Sequence, residues 1–408
     1  MRCGLLGKKL GHSYSPRIHG YLADYSYELF ERDPEQLEHF LKNEKFTGLN
    51  VTIPYKKAVI PYCHRLSPRA EVLGAVNTVV RQSDGTLIGH NTDYFGFQSM
   101  VSKSGLDVSC KKVLVLGSGG ASATAVAVLK ELGAQVIVIS RTGEDNYTNL
   151  AKHHDAAVIV NTTPVGMYPN TQESPVCLDS FPQLEGVLDV VYNPSNTALL
   201  QQAEKRALVT QNGLWMLVAQ AKESAEWFTG RIISDDVIPS IYKTLQQQMK
   251  NLILIGMPGS GKSTIGSLLA KRLNRVFIDA DAEIVKKAGC SIPEIFSTSG
   301  EEGFRKIETQ VLCELGKSSG LVIATGGGCV TREENYPLLH CNGTIIQLRR
   351  DVHQLPTDGR PLSQVGSLED MYHIRKPMYE AFADYSIDND TEVNRTIETI
   401  LSILDREA

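Results

Sequence analysis

The chain has 408 residues, a formal net charge of −5 and 42% hydrophobic residues. This apolar content is enough to bury hydrophobic cores, so a largely disordered protein is excluded, and the length suggests two or three domains at about 150 residues each. The mildly acidic balance argues against a nucleic-acid partner, because binding there needs a strongly basic face. No apolar run approaches the roughly 18–20 residues that span a bilayer, so no membrane partner is expected, and a homo-oligomer stays open.

The cysteines are scattered along the chain and form no C-x-x-C pair, so neither a zinc cluster nor a redox motif is predicted. In a chain of this length they are interpreted as reduced, mostly buried thiols. The N-terminal ten residues lack the apolar stretch of a signal peptide. Both features favour the cytoplasm.

Four short polar segments crowd the first 100 residues. They are Gly11-His-Ser-Tyr-Ser-Pro16, Asn50-Val-Thr-Ile-Pro-Tyr-Lys56 after an apolar strand, Gly74-Ala-Val-Asn-Thr78 and Gly89-His-Asn-Thr-Asp93. Each alone is compatible with ordinary loop polarity. Together they are typical of a site for a small ligand with many hydroxyl groups. The candidate residues are Ser13, Ser15, Thr52, Lys56, Asn77, Asn91 and Asp93.

A strand, a glycine turn and a helix are predicted next. The apolar run from Val113 ends in Gly117-Ser-Gly-Gly-Ala-Ser122, a variant of G-x-G-x-x-G that is a weak signal unless a strand precedes it and a helix follows. A second strand, Val136–Ile139, ends at an arginine where an NAD site usually has an acid, and an arginine there suits a 2′-phosphate, which favours NADP. The candidate cofactor residues are Gly117, Ser118, Gly119, Gly120, Ala121, Ser140, Arg141 and Thr142.

The pattern over residues 1 to about 247 resembles shikimate dehydrogenase. The resemblance implies an α/β substrate domain over 1–100, completed by about 215–247, and a Rossmann-like NADP domain over 101–214. It assigns the substrate carboxylate to Ser13 and Ser15, and ring hydroxyls or site structure to Thr52, Asn77, Asn91 and Gln220. It makes Lys56 and Asp93 the catalytic pair and places Tyr192 beside cofactor and substrate. One departure is Ala123, where the family often has an arginine that supports phosphate binding.

The chemistry of a Lys–Asp pair fits reduction of a ketone. Hydride transfer to the carbon must be matched by a proton on the oxygen, and a lysine beside a carboxylate can donate that proton or stabilise the developing alkoxide. Which of Lys56 and Asp93 transfers the proton is left open at this point.

A P-loop opens the C-terminal part of the chain. The predicted helix Ile238–Met249 leads almost directly into the strand Leu252–Ile255, so the boundary is expected near Lys250. Gly256-Met-Pro-Gly-Ser-Gly-Lys-Ser263 matches G-x-x-x-x-G-K-[ST] in full, with a lysine for the β/γ-phosphates of ATP and a serine for Mg²⁺. The candidate residues are Gly259, Ser260, Gly261, Lys262, Ser263 and Thr264.

Three further motifs follow the P-loop. Val276-Phe-Ile-Asp-Ala-Asp281 is predicted as a strand ending in two acids that point the same way, one for Mg²⁺ and one for an acceptor hydroxyl. Gly300-Glu-Glu-Gly-Phe-Arg305 places an arginine at a helix start. Ala324-Thr-Gly-Gly-Gly328 follows another strand, and its glycines allow close approach of a small ligand.

These motifs, in this order and spacing, resemble shikimate kinase over 250–408. The resemblance implies a P-loop α/β domain with a parallel sheet. It assigns acceptor activation to Asp281, Mg²⁺ to Asp279, and the shikimate carboxylate to Arg305 and Arg375. Glycines 326–328 would line the ring, namely Gly326, Gly327 and Gly328. Arg360 matches the lid arginine near the transferred phosphoryl group, although the stretch Asp351–Arg360 looks shorter than the usual lid.

The two resemblances together predict a bifunctional shikimate-pathway enzyme. The first part would reduce 3-dehydroshikimate with NADPH, and the second would transfer the γ-phosphoryl group of ATP to the 3-hydroxyl of the resulting shikimate, with Mg²⁺. Two alternatives stay open. One is a catalytically inactive protein that senses shikimate or quinate, although the retained charged residues argue against it. The other is a quinate-type dehydrogenase fused to another small-molecule kinase.

Overall fold

The computed structural model describes residues 1–11, 13–355, 368–389 and 392–407, which form an α/β protein as predicted. The chain divides into two compact units. Unit 1 comprises Met1–Val165, Ser174–Tyr192 and Gln202–Lys243, and unit 2 comprises Gly166–Glu173, Asn193–Gln201 and Thr244–Ala408. The finer division of the first 247 residues into a substrate domain and a cofactor domain stays a prediction.

The first sheet of unit 1 is mixed, with six strands in the order β2-β1-β3-β5-β6-β4. Its strands are β1 Arg2–Gly7, β2 Ser26–Glu31, β3 Gly48–Val51, β4 Arg65–Leu66, β5 Thr78–Arg81 and β6 Leu87–His90. The accompanying helices are α1 Ser15–Leu22, α2 Leu37–Asn43, α3 Pro68–Leu73 and α4 Asp93–Ser104. The sheet is mixed because β5 pairs antiparallel with both β3 and β6. The connection from β5 to β6 is a tight turn in which the Gln82 amide donates to the Thr86 carbonyl oxygen at 2.8 Å. A connection this short cannot join parallel strands, so β5 and β6 are antiparallel.

This strand order explains why distant polar segments meet. Strand β5 runs opposite to β3 and β6, and the register pairs Asn50 with Thr78 and Thr78 with His90. The end of β3, the start of β5 and the end of β6 therefore lie at one edge of the sheet. The segments that carry Thr52, Asn77 and Asp93 leave the sheet at that edge.

The second sheet of unit 1 is parallel, with five strands in the order β11-β10-β9-β7-β8. Its strands are β7 Lys112–Leu116, β8 Gln135–Ile139, β9 Val158–Asn161, β10 Gly186–Asp189 and β11 Val209–Gln211. Helix α5 Gly120–Glu131 packs on β7 and β8 of this sheet, and α6 Ala198–Lys205 precedes β11. Helix α7 Leu214–Thr229 follows β11 but packs on α4 and on β3 and β5 of the first sheet. The order reverses between β7 and β9, and the glycine turn follows β7, which is where doubly wound sheets bind their ligands.

Unit 2 contains a parallel sheet with five strands in the order β13-β14-β12-β15-β16, as predicted. Its strands are β12 Asn251–Ile255, β13 Val276–Asp279, β14 Leu321–Ala324, β15 Gly343–Arg349 and β16 Tyr385–Asp388. The remaining helices are α8 Val237–Met249, α9 Lys262–Leu273, α10 Ala280–Ala288, α11 Ile292–Gly316, α12 Asn335–His340, α13 Leu368–Phe382 and α14 Val393–Glu407.

Strand β12 is buried on both faces, which is why its sequence is one continuous apolar run. Leu252 and Leu254 pack with Ile265 on one face, and Ile253 and Ile255 pack into a second cluster on the other. Strand β12 lies in the middle of the sheet, between β14 and β15, so the P-loop that follows it is held at the middle of the carboxyl edge.

Two composition-based expectations can be compared with the structure. All eight cysteines are free thiols, but only Cys3, Cys329 and Cys341 are buried, so the prediction of mostly buried thiols is wrong. Cys110 and Cys177 are exposed because they lie in loops outside the sheets. Among the described residues, no helix combines the length and the apolar character that crossing a bilayer requires.

Candidate active sites

Lys56 and Asp93 are brought into direct contact in unit 1. The Lys56 ammonium donates to Asp93 Oδ2 at 2.6 Å, and the two side chains are 25% and 11% exposed. Asp93 is the first residue of α4, so its carboxylate lies at the positive end of a helix dipole, which stabilises negative charge. The arrangement offers an ion pair that is shielded but still reachable from solvent.

The second oxygen of Asp93 is held by a neutral amide. Asn77 Nδ2 donates to Asp93 Oδ1 at 2.9 Å and lies 3.5 Å from Gln220 Oε1. Gln220 comes from α7, which packs against α4, and its own Nε2 donates to the Leu217 carbonyl oxygen at 2.9 Å. The structure thus assembles Lys56, Asp93, Asn77 and Gln220 in one cluster.

Asn91 differs from these residues because its amide is committed to the backbone. Its Nδ2 donates to the Ala75 carbonyl oxygen at 2.9 Å, its Oδ1 accepts from the Tyr94 amide at 3.3 Å, and the residue is 3% exposed. Of the two roles left open by the sequence, this geometry favours site structure over contact with a ring hydroxyl.

The loop of Ser13 and Ser15 lies against the Tyr192 segment. The Ser15 amide donates to Ser13 Oγ at 3.2 Å, which turns the loop at the start of α1. The rings of Tyr14 and Tyr192 pack edge to face with centroids 6.2 Å apart. Tyr192 and the two serines are therefore neighbours, although nearly 180 residues separate them in sequence.

Thr52 follows β3, and its amide donates to the Leu6 carbonyl oxygen at 2.9 Å.

The glycine turn after β7 leaves room for a diphosphate group. Gly117 has φ of 111°, and a Cβ there would lie 2.8 Å from Thr162 Oγ1, so only glycine fits. Gly119 and Gly120 face open space, and Ala121 continues into α5, whose N-terminus begins at the turn. A helix N-terminus beside an open glycine turn suits phosphate oxygens. Ser118 is exposed at the tip of the turn.

The predicted 2′-phosphate segment follows β8. Ser140, Arg141 and Thr142 lie directly after Ile139, and the arginine side chain is exposed. An exposed guanidinium at the end of the second strand can bind a ribose 2′-phosphate, so the residues present fit NADP. Ala123, also exposed, adds no charge to this surface.

The P-loop has the backbone that its glycines predict. Gly256, Gly259 and Gly261 have φ of 144°, 86° and 94°, a region that favours glycine. The Lys262 ammonium donates to the carbonyl oxygens of Gly256 and Met257 at 2.8 and 3.0 Å, so its charge lies inside the loop. Thr264, one residue beyond Ser263, is exposed in the first turn of α9.

One residue that supports the P-loop was missed by the sequence reasoning. Asn389 Nδ2 donates to the Ser260 carbonyl oxygen at 2.7 Å, and its Oδ1 accepts from Thr396 Oγ1 at 2.9 Å. A Cβ on Gly261 would lie 2.5 Å from the same amide nitrogen. No local sequence signal pointed to this contact, because Asn389 follows β16, far from the loop in the chain.

The two acids after β13 do not both continue the strand, so that expectation is wrong. Strand β13 ends at Asp279, which caps α10: its Oδ1 accepts from the Asp281 amide at 3.1 Å. The physical reason is that an aspartate before a helix satisfies backbone amides that would otherwise lack partners. Asp279 Oδ2 also accepts from Ser263 Oγ at 2.7 Å. The predicted metal ligands are thus in contact, and a hydroxyl with a carboxylate suits Mg²⁺.

Arg305 is buried within a pair of acids. It is 4% exposed and donates to Glu308 Oε2 at 2.7 Å and to Glu301 Oε1 at 3.1 Å. Burial alone would lower the pKa of Arg305, but the two glutamates raise it above its usual value. The guanidinium therefore stays charged. Glu308, 1% exposed, was not singled out from the sequence, although its i+3 spacing from Arg305 on a helix was a usable signal.

The three glycines after β14 each lie where a neighbour leaves no space for a Cβ. A Cβ on Gly326 would lie 2.8 Å from Asp281 Oδ1, one on Gly327 would lie 2.6 Å from Pro258, and one on Gly328 would lie 2.2 Å from Arg305 Nη2. The carbonyl oxygen of Gly327 accepts from Arg375 Nη1 at 3.2 Å and from the Tyr379 hydroxyl. These contacts hold the glycine segment against both arginines.

One cavity in unit 2 brings the predicted kinase residues together. It has a volume of about 680 Å³, and its walls include the P-loop, both acids after β13, both arginines and the glycine segment. Phe296 and Phe304 add an apolar wall. Arg360 lies outside the described residues, so its predicted role at the lid has no structural counterpart here.

Comparison with known proteins agrees with both parts of the chain. A family model for the shikimate dehydrogenase substrate binding domain matches residues 5–79, and one for shikimate kinase matches residues 258–405. The shikimate dehydrogenase (NADP(+)) of Clostridium perfringens (strain SM101 / Type A) is 34% identical over 265 residues, which are 60% of this chain and 97% of the relative.

Two solved structures are similar to the same part of the chain. Shikimate dehydrogenase 1 from Peptoclostridium difficile has a TM-score of 0.56 and 35% identity, covering 60% of this chain and 98% of its own. Shikimate 5-dehydrogenase from Thermus thermophilus, in complex with NADP(H) and shikimate, has a TM-score of 0.55 and 32% identity, covering 60% of this chain and 99% of its own.

Proposed function

The chain belongs to the shikimate dehydrogenase family and carries a shikimate kinase domain after it, and on that premise we propose that it catalyses two consecutive reactions. The first is NADPH-dependent reduction of 3-dehydroshikimate to shikimate. The second is ATP-dependent phosphorylation of shikimate to shikimate 3-phosphate. The observation that carries this proposal is that one chain holds a Lys56–Asp93 contact of 2.6 Å and a complete P-loop whose Ser263 contacts Asp279.

The reduction needs a proton on the carbonyl oxygen. Bound NADPH supplies the hydride for the carbonyl carbon. The Lys56 ammonium, paired with Asp93 yet a quarter exposed, can donate a proton to the oxygen or stabilise the alkoxide as it forms. Asp93 orients the ammonium through their shared hydrogen bond, and the proton that Lys56 gives up is replaced from solvent, which reaches this side chain. Both residues therefore belong to the catalytic pair.

The remaining polar residues of unit 1 are assigned to substrate binding. We assign the carboxylate to Ser13 and Ser15, and ring hydroxyls to Thr52, Asn77 and Gln220. Asn77 and Gln220 are supported by their position beside Asp93. Tyr192 lies next to the serine loop, and Asn91 supports the site through the backbone.

Phosphoryl transfer needs charge compensation and a positioned acceptor. Mg²⁺ supplies charge neutralisation at the phosphates, and Ser263 and Asp279 would hold it. Lys262 would bind the phosphates, with the P-loop amides as further donors. Asp281, on the cavity wall, would accept the proton of the 3-hydroxyl. Arg305 and Arg375 would bind the shikimate carboxylate, because planar guanidinium groups match carboxylate oxygens in pairs.

The cellular compartment and the partners are also proposed. Free thiols are typical of a reducing compartment, so we place the protein in the cytoplasm. Its partners are the small-molecule substrates. The expectation that it binds no nucleic acid, and the question of a homo-oligomer, stay at the level of prediction.

The test is a coupled assay with the purified chain. 3-Dehydroshikimate, NADPH, ATP and Mg²⁺ are supplied, NADPH oxidation is followed by absorbance, and products are identified by mass spectrometry. We expect shikimate when ATP is left out and shikimate 3-phosphate when it is present. Supply of quinate with NADP⁺ is the specificity control. Failure to reduce 3-dehydroshikimate, or to phosphorylate shikimate, would overturn the proposal.

A further inference from the structure

Three buried hydroxyl groups meet behind the Lys56–Asp93 pair. Thr78 Oγ1 and Thr92 Oγ1 are 3.2 Å apart, and Ser224 Oγ lies 2.9 Å from each. Thr78, Thr92 and Ser224 are 0%, 1% and 0% exposed, so no solvent reaches them. They come from β5, from the residue before α4, and from α7. We call these three residues the hydroxyl cluster.

The hydroxyl cluster lies directly against the amide of Asn77. Asn77 Oδ1 accepts from the Thr92 backbone amide at 2.7 Å and from the Thr78 hydroxyl at 3.2 Å, and Asn77 Nδ2 donates to the Thr92 hydroxyl oxygen at 3.0 Å. A backbone N–H can only donate, so it identifies the atom it contacts as the amide oxygen. The other atom is therefore the amide nitrogen, which faces both the Thr92 hydroxyl and Asp93.

This orientation determines how Asp93 is held. Asn77 Nδ2 donates to Asp93 Oδ1 at 2.9 Å, while Asp93 Oδ2 accepts from Lys56 at 2.6 Å. A reversed Asn77 amide would place an oxygen against the carboxylate and repel it. The plane of the carboxylate, and with it the direction of the Lys56 ammonium, thus depends on which way Asn77 faces.

Ser224 links this arrangement to α7. Its hydroxyl donates to the Gln220 carbonyl oxygen at 2.9 Å and accepts from Asn50 Nδ2 at 2.8 Å. A buried hydroxyl that lost its partners would cost about 1–3 kcal/mol, so the cluster is stable only when all three elements are in register. Gln220 is one helical turn from Ser224 and is brought to the same site.

We propose that Thr92 and Ser224 are positioning residues for ketone reduction, acting through Asn77 on the Asp93–Lys56 pair. Neither is needed as a substrate ligand for this role. The inference deepens the proposed reductase activity and rests on it. The substrate carboxylate is assigned to Ser13 and Ser15, which lie outside the hydroxyl cluster, so a small loss of orientation in the reacting pair should lower the turnover rate more than substrate affinity.

The test compares two substitutions of Thr92 in the full chain. Thr92→Val keeps the shape and the backbone N–H but removes the hydroxyl, whereas Thr92→Ser keeps the hydroxyl and removes a methyl group. With 3-dehydroshikimate as substrate, we expect Thr92→Val to lower kcat about tenfold and to leave KM nearly unchanged. Thr92→Ser should retain most of the wild-type kcat.

The controls separate positioning from folding. NADP⁺ affinity reports that unit 1 is folded, because its binding residues lie outside the cluster. Thr229→Val is the matched control: Thr229 is also on α7, and its hydroxyl donates to the i−4 carbonyl oxygen of Ala225 at 2.8 Å, as Ser224 does to Gln220. It should leave kcat unchanged. If Thr92→Val does not fold, Ser224→Ala provides the same comparison from the other side of the cluster.

Three results would overturn the positioning role. They are an unchanged kcat in folded Thr92→Val or Ser224→Ala, an equal loss in Thr92→Val and Thr92→Ser, and a rise in KM at unchanged kcat. A wild-type chain that does not reduce 3-dehydroshikimate refutes the proposed function instead, so the two failures are distinguished within one series.

Discussion

The two sites differ in how they handle charge. Around Lys56, one ammonium and one carboxylate are surrounded by neutral amides and hydroxyls. Around Lys262, the cavity wall includes four cationic side chains and three acidic ones. Ketone reduction moves one proton and builds up a single alkoxide charge, whereas phosphoryl transfer must hold several phosphate charges together with a substrate carboxylate. The number of charged side chains at each site therefore follows the amount of charge that its reaction must stabilise.

The same contrast applies to buried glutamates. Glu308 in unit 2 is matched by the Arg305 guanidinium at 2.7 Å. Glu223 in unit 1 lies 3.4 Å from Arg69, which is itself half exposed. Burial raises the pKa of Glu223 to about 7, and the weaker Arg69 charge only partly opposes this. Burial raises the pKa of Glu308 as well, so even a close, buried guanidinium opposes this effect only in part.

The substitution with the greatest predicted effect tests whether the site around Lys262 works independently of the site around Lys56. Lys262→Ala removes the P-loop cation, and kinase activity should fall by about 10⁴-fold because phosphate charge loses its compensation. Ketone reduction by the same preparation should be unchanged and serves as the control. Loss of both activities in a folded protein would contradict the comparison. Steady-state assays of each reaction measure this.

The reverse experiment removes the single cation of the charge-poor site. Lys56→Ala should lower kcat for ketone reduction by about 10³-fold, since general acid catalysis of this kind contributes roughly 10²–10⁴-fold. Phosphorylation of added shikimate should stay at the wild-type rate. A residual reduction rate above about a tenth of wild type would show that Lys56 is not in the catalytic pair.

A third change tests the packing that holds Arg305. Gly328→Ala places a Cβ 2.2 Å from Arg305 Nη2, so the guanidinium must leave its position between the glutamates. Displacing a buried charge costs about 3–5 kcal/mol, and kcat/KM for shikimate should fall about 10²–10³-fold. ATP affinity should change little. The comparison variant is Gly289→Ala. A Cβ there meets no neighbour within 4 Å, but the φ of 71° means that the substitution strains the backbone, so this variant measures backbone strain without a steric clash. Equal losses in both variants would argue against steric displacement.

The smallest effect concerns the poorly compensated acid, Glu223. Its pKa is raised in the folded state from 4.5 to about 7, so the folded chain binds more protons than the unfolded chain between these values. Stability is therefore greater at low pH and is lost as pH rises toward 7. Glu223→Gln should remove this loss and stabilise the protein at pH 8 by up to about 3 kcal/mol.

Thermal unfolding across a pH series measures this effect, with Glu226→Gln on the same helix as the comparison. Wild type and Glu223→Gln should coincide near pH 4, diverge as the pH rises from 4.5 to about 7, and stay apart above neutrality. If the unfolding temperatures of wild type and Glu223→Gln run parallel over the whole pH range, the pKa of Glu223 is not raised.

Local motifs predicted much of both sites. The P-loop glycines, Lys262 and the glycine turn at Gly117 depend on backbone conformations and spacings within a few residues, and the structure has them where the sequence indicated. The contact between Lys56 and Asp93 was expected only through resemblance, because 37 residues separate them. Antiparallel pairing of β5 brings them together.

Three features could not be predicted in this way. The direction of Asp281 depends on whether the chain continues a strand or starts a helix, and the capping of α10 by Asp279 decided it. Thr92 and Ser224 are ordinary hydroxyl residues in sequence, and they acquire a role only because α7 packs on α4. Asn389 supports the P-loop from the end of β16, the outermost strand of the sheet.

Short sequence segments specify the chemical groups that the two sites use. Phosphate turns, an arginine at the end of β8 and a lysine after β3 are encoded in short segments, because backbone conformation and residue type act locally. Tertiary structure decided which of these groups meet and which way they face. Hydrogen bonds between buried groups are formed only when distant elements pack, so the orientation of Asn77 and the charge of Arg305 belong to the fold and not to any single segment.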